Sequence, residues 1–238
     1  MTGGDLIISF GVLVAMQKEI EFVLNSMYIK KEVMLSNTKF YVGDFFEKEI
    51  IVSICGVGKV NAAVATQNLI SYFKPDFIIN MGLAGCAFYK ISVEDVVVAN
   101  HVVQYDVDTT ALGDPLGMVS TVNIINFPCS EKLIENFFKG VGNSNAGRVF
   151  LGTVASGDKF LKEKSEIVKV NEYFNALAID MEAGSIAQVC YLNNVEFCCL
   201  KVISDSVFDL KNKNIVNTYN KSKKNFPTLF LKLLHSIL

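Results

Sequence analysis

Ala178-Ile179-Asp180-Met181-Glu182-Ala183 joins two kinds of pattern within six residues. Upstream, the apolar run Ala176 to Ile179 reads as a buried strand; downstream, Ala183 to Asn193 reads as a helix. The junction carries two acids, Asp180 and Glu182, on either side of Met181. A carboxylate just past a buried strand is costly to desolvate unless something uses it. In open α/β sheets that edge is where ligands sit. The plainer alternative is that both acids cap the helix and complement its N-terminal dipole. Taken alone, the junction favours that alternative; its recurrence along the chain weakens it.

Working outward, Leu6 to Val14 reads as a strand, and Ile20, Val23, Leu24 and Met27 follow at helical spacing. Glu19 stands in the first turn of that helix, where the dipole favours an acid. Phe40 to Asp44 and Ile50 to Ile54 read as two more strands, joined as a hairpin through Glu47-Lys48. Gly56-Val57-Gly58-Lys59 then leads into a helix from Val60 to about Phe73. Glycines at such a turn let backbone N–H groups face a ligand, although this GxGK lacks the spacing of a P-loop. Phe77 to Asn80 is a strand followed by the small-residue turn Met81-Gly82-Leu83-Ala84-Gly85.

Val93 to Ala99 and Val149 to Ala155 are further strands. Gln104 to Gly117 is a long loop of the kind that serves a site or an interface. Ser156-Gly157-Asp158 turns into an exposed Phe160 and Leu161. Phe197 to Ile203 is the last clear strand and ends in Ser204-Asp205, and the tail Asn217 to Leu238 reads as helical with an interruption at Pro227. No repeat or linker divides the chain. Alternating strands and helices predict one α/β domain over residues 1–238, built on a mixed, mostly parallel sheet.

The 238 residues are 51% apolar with a formal net charge of −2, and the one short basic run is Lys221-Ser222-Lys223-Lys224. Nucleic acid is therefore not an expected partner. The six cysteines have no CxxC spacing and few histidines beside them, so neither a zinc site nor a disulfide framework is expected. Reduced, buried thiols fit the cytoplasm. The run Leu6 to Met16 lacks a basic flank, and Gln17-Lys18-Glu19 interrupts it before it could span a bilayer. No membrane partner, metal or cofactor is expected.

Glu19, the Gly82 to Gly85 stretch, Met181-Glu182 and Asp205 each follow the end of a different expected strand. In a parallel sheet they converge on one crevice. Neither His101 nor His235 sits near these turns, so no nucleophile–histidine pair forms. Three acids beside a glycine shelf suit acid–base cleavage of a flat, polar, uncharged molecule such as a nucleoside.

Five motifs then occur in order: Gly56-Val57-Gly58-Lys59-Val60-Asn61-Ala62-Ala63, Asn80-Met81-Gly82-Leu83-Ala84-Gly85, Ser156-Gly157-Asp158, Asp180-Met181-Glu182-Ala183 and Ile203-Ser204-Asp205. Together they resemble the bacterial 5′-methylthioadenosine/S-adenosylhomocysteine nucleosidases of the nucleoside phosphorylase family, from about Gly11 to Asp209. The resemblance implies a sheet curled toward a barrel with surrounding helices, in a homodimer. It implies hydrolysis of the adenine–ribose bond, with Glu19 activating water and Asp205 protonating adenine N7. Glu182 and Met181 would meet the ribose, Phe160 would stack on adenine and the Leu161 backbone would read its edge. Gly85 would lie against the nucleoside; Val57, with Leu112 of a second copy, would line the alkylthio pocket. Asp180, Lys201 and Ser204 fall at positions of the binding set.

Leu83 departs from the family's usual serine, Lys201 from arginine, Asp180 from glutamate and Leu112 from an aromatic residue. A phosphate-dependent phosphorylase and a non-catalytic nucleoside binder remain the alternatives. Retention of both Glu19 and Asp205 speaks against the binder. A single arginine, Arg148, speaks against a phosphate site.

Overall fold

A computed structural model describes residues 9–46, 48–141 and 148–208. The expected tail helix Asn217 to Leu238, the turn residue Glu47 and the first residues of the Leu6 to Val14 strand lie outside the described residues. Among the described residues ten strands form one mixed sheet: β1 (Ser9–Val14), β2 (Tyr28–Leu35), β3 (Thr38–Phe45), β4 (Lys48–Ile54), β5 (Phe77–Cys86), β6 (Val96–Gln104), β7 (Phe127–Pro128), β8 (Val149–Ser156), β9 (Ala176–Asp180) and β10 (Glu196–Asp205). Among the described residues five α-helices accompany them: α1 (Gln17–Ser26), α2 (Lys59–Phe73), α3 (Glu131–Val141), α4 (Lys164–Phe174) and α5 (Ala183–Asn193).

The sheet closes on itself through β5. One edge of β5 pairs with β10 along its whole length, in parallel. The other edge is shared: Phe77 to Asn80 pair in parallel with β1, and Gly85 and Cys86 pair antiparallel with the end of β9. β10 also pairs with β6, β6 with β8 and β8 with β9, so β5-β10-β6-β8-β9 is a closed five-stranded barrel. β1, β4, β3 and β2 continue outward from it in that order. Helices cover the strands, which is why so many strand residues are apolar on both faces: Val12, Ile78, Ile79, Val98 and Leu200 are all buried.

Because β5 and β9 meet only through their last residues, their C-terminal ends arrive at one place from opposite directions. The ends of β1, β8 and β10 open there too. A register shift between Ile203 and Asp205 re-aims the end of β10.

Several expectations need correction. β5 does not end at Asn80; it runs on through the glycines to Cys86, so the small-residue stretch is strand rather than turn. The first helix stops at Ser26, and Tyr28 to Leu35 form an edge strand that the apolar pattern did not mark. β6 runs from Val96 to Gln104 rather than from Val93 to Ala99. Helices α3 and α4 fall in stretches left unassigned above. By contrast, α5 occupies the expected Ala183 to Asn193. The loop after β6 holds a 3-10 turn at Thr110–Leu112 and ends at Gly117, which adopts φ +82. A side chain at Gly117 would also meet the Phe174 ring at 2.8 Å.

Candidate active site

Glu19 sits at the third position of α1 and is buried to 2% exposure. Its Oε2 accepts the Ala15 and Met16 N–H groups at 3.0 and 2.9 Å, and its Oε1 accepts Leu83 N–H at 2.9 Å. The carboxylate is thus pinned between the turn after β1 and the middle of β5. Gly82 makes room for it: Oε1 lies 3.1 Å from where a Cβ would stand. Burial pushes the Glu19 carboxyl above its ordinary range, while the Leu83 N–H, the Lys201 charge and the Met16 and Ala15 N–H groups oppose that shift.

Asp205 ends β10. Ser204 Oγ donates to its Oδ1 at 2.7 Å, and its Oδ2 lies 3.4 Å from the open side of Gly85. Burial raises its pKa, against the Ser204 hydrogen bond. Glu182 is also buried, and its Oε1 accepts Gly58 N–H at 2.9 Å. Burial and then the negative charge of Asp180 raise it to about 7, with Lys201 and the Gly58 N–H pulling the other way.

These three carboxyls line one cavity of about 240 Å³. Val57, Gly85, Phe160, Leu161, Asp180, Met181 and Ser204 line it as well. Leu83 is on the wall, as are Met16, Cys86 and Ile179, which carried no chemical signature in the sequence and are legible only as neighbours of motif residues. Phe160 is 54% exposed at the rim, but Leu161 is buried, which corrects the expectation that both are exposed.

Two of the residues singled out above stand off the wall. Leu112 is 84% exposed on the loop after β6. Lys201 is buried beneath the floor, where Nζ pairs with Asp180 Oδ2 at 2.7 Å. Burial opposes its charge, yet the Asp180 carboxylate outweighs that and holds its pKa above the usual range. Asp180 Oδ2 also accepts Ala183 N–H at 2.9 Å, and Ser156 Oγ donates to Asp180 Oδ1 while accepting Gly184 N–H at 2.7 Å. The capping reading of Asp180 therefore holds, whereas Glu182 reaches across to the GxGK turn.

Arg148 lies just before β8, at the far end of the barrel, where Asp95 accepts from its guanidinium at 2.6 Å. His101 Nε2 is 2.8 Å from Thr153 Oγ1. Among the described residues no group of three or more His, Cys, Asp or Glu side chains is arranged to hold a metal ion. No described helix is long and apolar enough to cross a membrane. The cavity can thus fix one carboxylate by backbone bonds, favour the protonated form of another carboxyl by burial, and enclose an apolar, flat ligand between them.

Comparison with known proteins points the same way. The sequence model of the phosphorylase superfamily matches residues 9–235. The 5′-methylthioadenosine/S-adenosylhomocysteine nucleosidase of Staphylococcus aureus (strain MRSA252) is 36% identical over 196 residues, covering 82% of this chain and 85% of that protein. The crystal structure of the Helicobacter pylori nucleosidase of that name, complexed with an aminopyrrolopyrimidine-bearing pyrrolidinol, matches with TM-score 0.88 and 29% identity over 97% of each chain. A futalosine hydrolase of Helicobacter pylori strain 26695 matches with the same TM-score of 0.88 at 28% identity, over 98% of this chain and 97% of that one.

Proposed function

This chain belongs to the phosphorylase superfamily and, within it, to the 5′-methylthioadenosine/S-adenosylhomocysteine nucleosidases, and from that membership we infer that it hydrolyses the N-glycosidic bond of both thioethers, releasing adenine and the thioribose. The observation that carries this reading is the meeting of Glu19 and Asp205 in one largely apolar cavity, each carboxyl held in a different way.

We assign Asp205 as the general acid. Burial favours its protonated form, and proton transfer to adenine N7 turns the base into a neutral leaving group. Ser204 keeps that carboxyl aimed. Glu19 takes a proton from the attacking water; its three backbone hydrogen bonds stabilise the ionised form that this task requires. As the bond breaks, the sugar gains positive charge, and nearby carboxylates stabilise it. Glu182 accepts the ribose hydroxyls beside Met181. Phe160 stacks on adenine, the Leu161 backbone reads its edge and Gly85 lies against the nucleoside. Asp180 and Lys201 act from below, by fixing the start of α5 and the charge under Glu182.

Val57 on the cavity wall and the exposed Leu112 support a homodimer in which Leu112 of a second copy closes the alkylthio end. Light scattering at micromolar concentration tests this; a monomer counts against it. The match over residues 9–235 supports one domain for the whole chain. The buried thiols support a cytoplasmic setting. 5′-Deoxyadenosine would share the site, since it differs only at the alkylthio end.

Water rather than phosphate is the nucleophile on this reading. Arg148 is engaged by Asp95 far from the cavity, and Lys201 by Asp180. The negative charge of Glu19 repels a phosphate dianion by roughly 4 kcal/mol per unit charge at 4 Å and an effective dielectric of about 20. The test is to supply methylthioadenosine, S-adenosylhomocysteine and futalosine, each with and without phosphate, and to analyse the sugar product. Free methylthioribose at equal rates supports the hydrolase. Strict phosphate dependence with a sugar 1-phosphate supports a phosphorylase, and tight binding without turnover supports a binder.

A further inference from the structure

Two motifs, GxGK and Ser-Gly-Asp, take almost no part in the chemistry above, yet the fold brings them together at the mouth of the cavity. Lys59 Nζ donates to Asp106 Oδ1 at 2.7 Å. The other oxygen of that carboxylate, Oδ2, accepts Asp158 N–H at 2.8 Å. Asp158 Oδ1 in turn accepts Lys59 N–H at 2.8 Å. Three hydrogen bonds therefore close a ring among three loops: the turn before α2, the loop after β6 and the turn after β8. Gly58, at φ +94, lets this happen, because Asp158 Oδ1 lies 3.1 Å from where a Cβ would stand.

Lys59 and Asp158 each stand within two residues of the cavity wall, and Asp106 is joined to it through its neighbour Tyr105. Gly58, just before Lys59, donates its N–H to Glu182 Oε1 at 2.9 Å. Lys159 and Phe160, just after Asp158, are on the wall. Tyr105, just before Asp106, donates its hydroxyl to Lys159 O at 2.9 Å. The side chains of Lys59 and Asp106 are 19% and 27% exposed, so water still reaches them and the ring is not part of the core.

We propose that Lys59, Asp106 and Asp158 form a positioning clasp that ties Glu182 to the Phe160 wall and thereby sets the affinity of the cavity for its nucleoside. The identity of that ligand rests on the function proposed above. Without the clasp, the Gly58 turn and the Lys159–Phe160 segment must be ordered by the ligand itself, and that ordering subtracts from binding. None of the three residues touches a reacting atom, so the loss falls equally on the ground state and the transition state. KM then rises while kcat holds.

The experiment compares Lys59→Met, Asp106→Asn and Lys59→Arg with the wild type. KM and kcat are read from methylthioadenosine, and the Kd for adenine from titration calorimetry. Lys59→Met and Asp106→Asn are expected to raise KM about tenfold and weaken adenine by a similar factor, with kcat within about twofold. Lys59→Arg, which can still reach Asp106, should recover most of the affinity. Unchanged KM and adenine affinity in both variants overturn the clasp, as does a fall in kcat with KM intact, or a lower Tm with affinity intact. If Lys59→Met does not fold, Asp106→Asn decides, since it keeps shape and removes charge. The adenine titration separates the two readings: no adenine release by wild type defeats the nucleosidase, while the clasp still stands or falls on adenine affinity.

Discussion

Two lysine–aspartate pairs of the same 2.7 Å length stand at opposite depths of one cavity. Lys201 and Asp180, at the floor, have side chains 2% and 1% exposed; Lys59 and Asp106, at the rim, have side chains 19% and 27% exposed. Equal distance does not mean equal weight. At the floor, removing one partner strands a charge where no water can reach it, and breaking such a pair is strongly destabilising. At the rim, water replaces the lost partner, so the pair adds little to folding and can be kept for what it orders. The deep half of the cavity thus couples chemistry to stability, whereas the rim couples loop order to affinity.

The strongest attempt to break this contrast goes to the deep half. Asp205→Asn keeps the shape of the side chain but cannot deliver a proton, and should lower kcat by ~10²–10⁴-fold while methylthioadenosine still binds. A variant that keeps a tenth of wild-type turnover would remove Asp205 from the role. Next, Lys201→Met should cost about 3–5 kcal/mol in denaturant unfolding, because Asp180 is left buried and unpaired. Pairing it with Asp180→Asn should return part of that loss. A cost below about 1 kcal/mol for Lys201→Met would mean that the floor behaves like the rim.

A pH series sharpens the contrast further. Glu182 moves from an ordinary 4.5 to about 7 in the folded protein. Between those values the folded state holds a proton that the unfolded chain has released, so folding is favoured by protons and stability falls as pH rises from about 4.5 to about 7. Glu182→Gln should flatten that fall, and Tm measured against pH for both proteins checks it. The smallest expected effect is at the rim: Lys59→Met should cost no more than about 1 kcal/mol of stability. A larger loss in the same unfolding assay would make the rim pair structural.

The sequence made the deep half legible because each of its acids stands where an apolar run stops. Glu19, Glu182 and Asp205 were readable because that placement recurs along the chain, and Ala183 to Asn193 was readable as α5 from the helical spacing of Ala183, Ile186, Ala187 and Cys190. β2 was not, since Tyr28 to Leu35 is a mostly exposed edge strand with Lys30, Lys31 and Glu32 in its middle, so it lacks the alternation that marks a buried strand. Gly82 and Gly85 read as turn residues, yet they lie within β5 because Glu19 and Asp205 approach the strand where side chains would stand. Lys201 gave no sign that its partner would be Asp180, twenty-one residues away on another strand of the barrel. The rim ring was invisible for a similar reason: its three bonds join loops brought together only when the barrel closes.

All six cysteines are free and buried, and burial lifts the thiols above their ordinary range, Cys198 to about 12. A thiol that cannot ionise reacts slowly with peroxide and with alkylating reagents, both of which attack the thiolate. The folded enzyme should therefore keep in air without reductant. For Cys55, Cys190, Cys198 and Cys199, which line no cavity described above, the same shielding provides a clock, because labelling becomes fast only for molecules that have opened. The rate at which iodoacetamide mass accumulates then reports how often the closed barrel comes apart in native buffer.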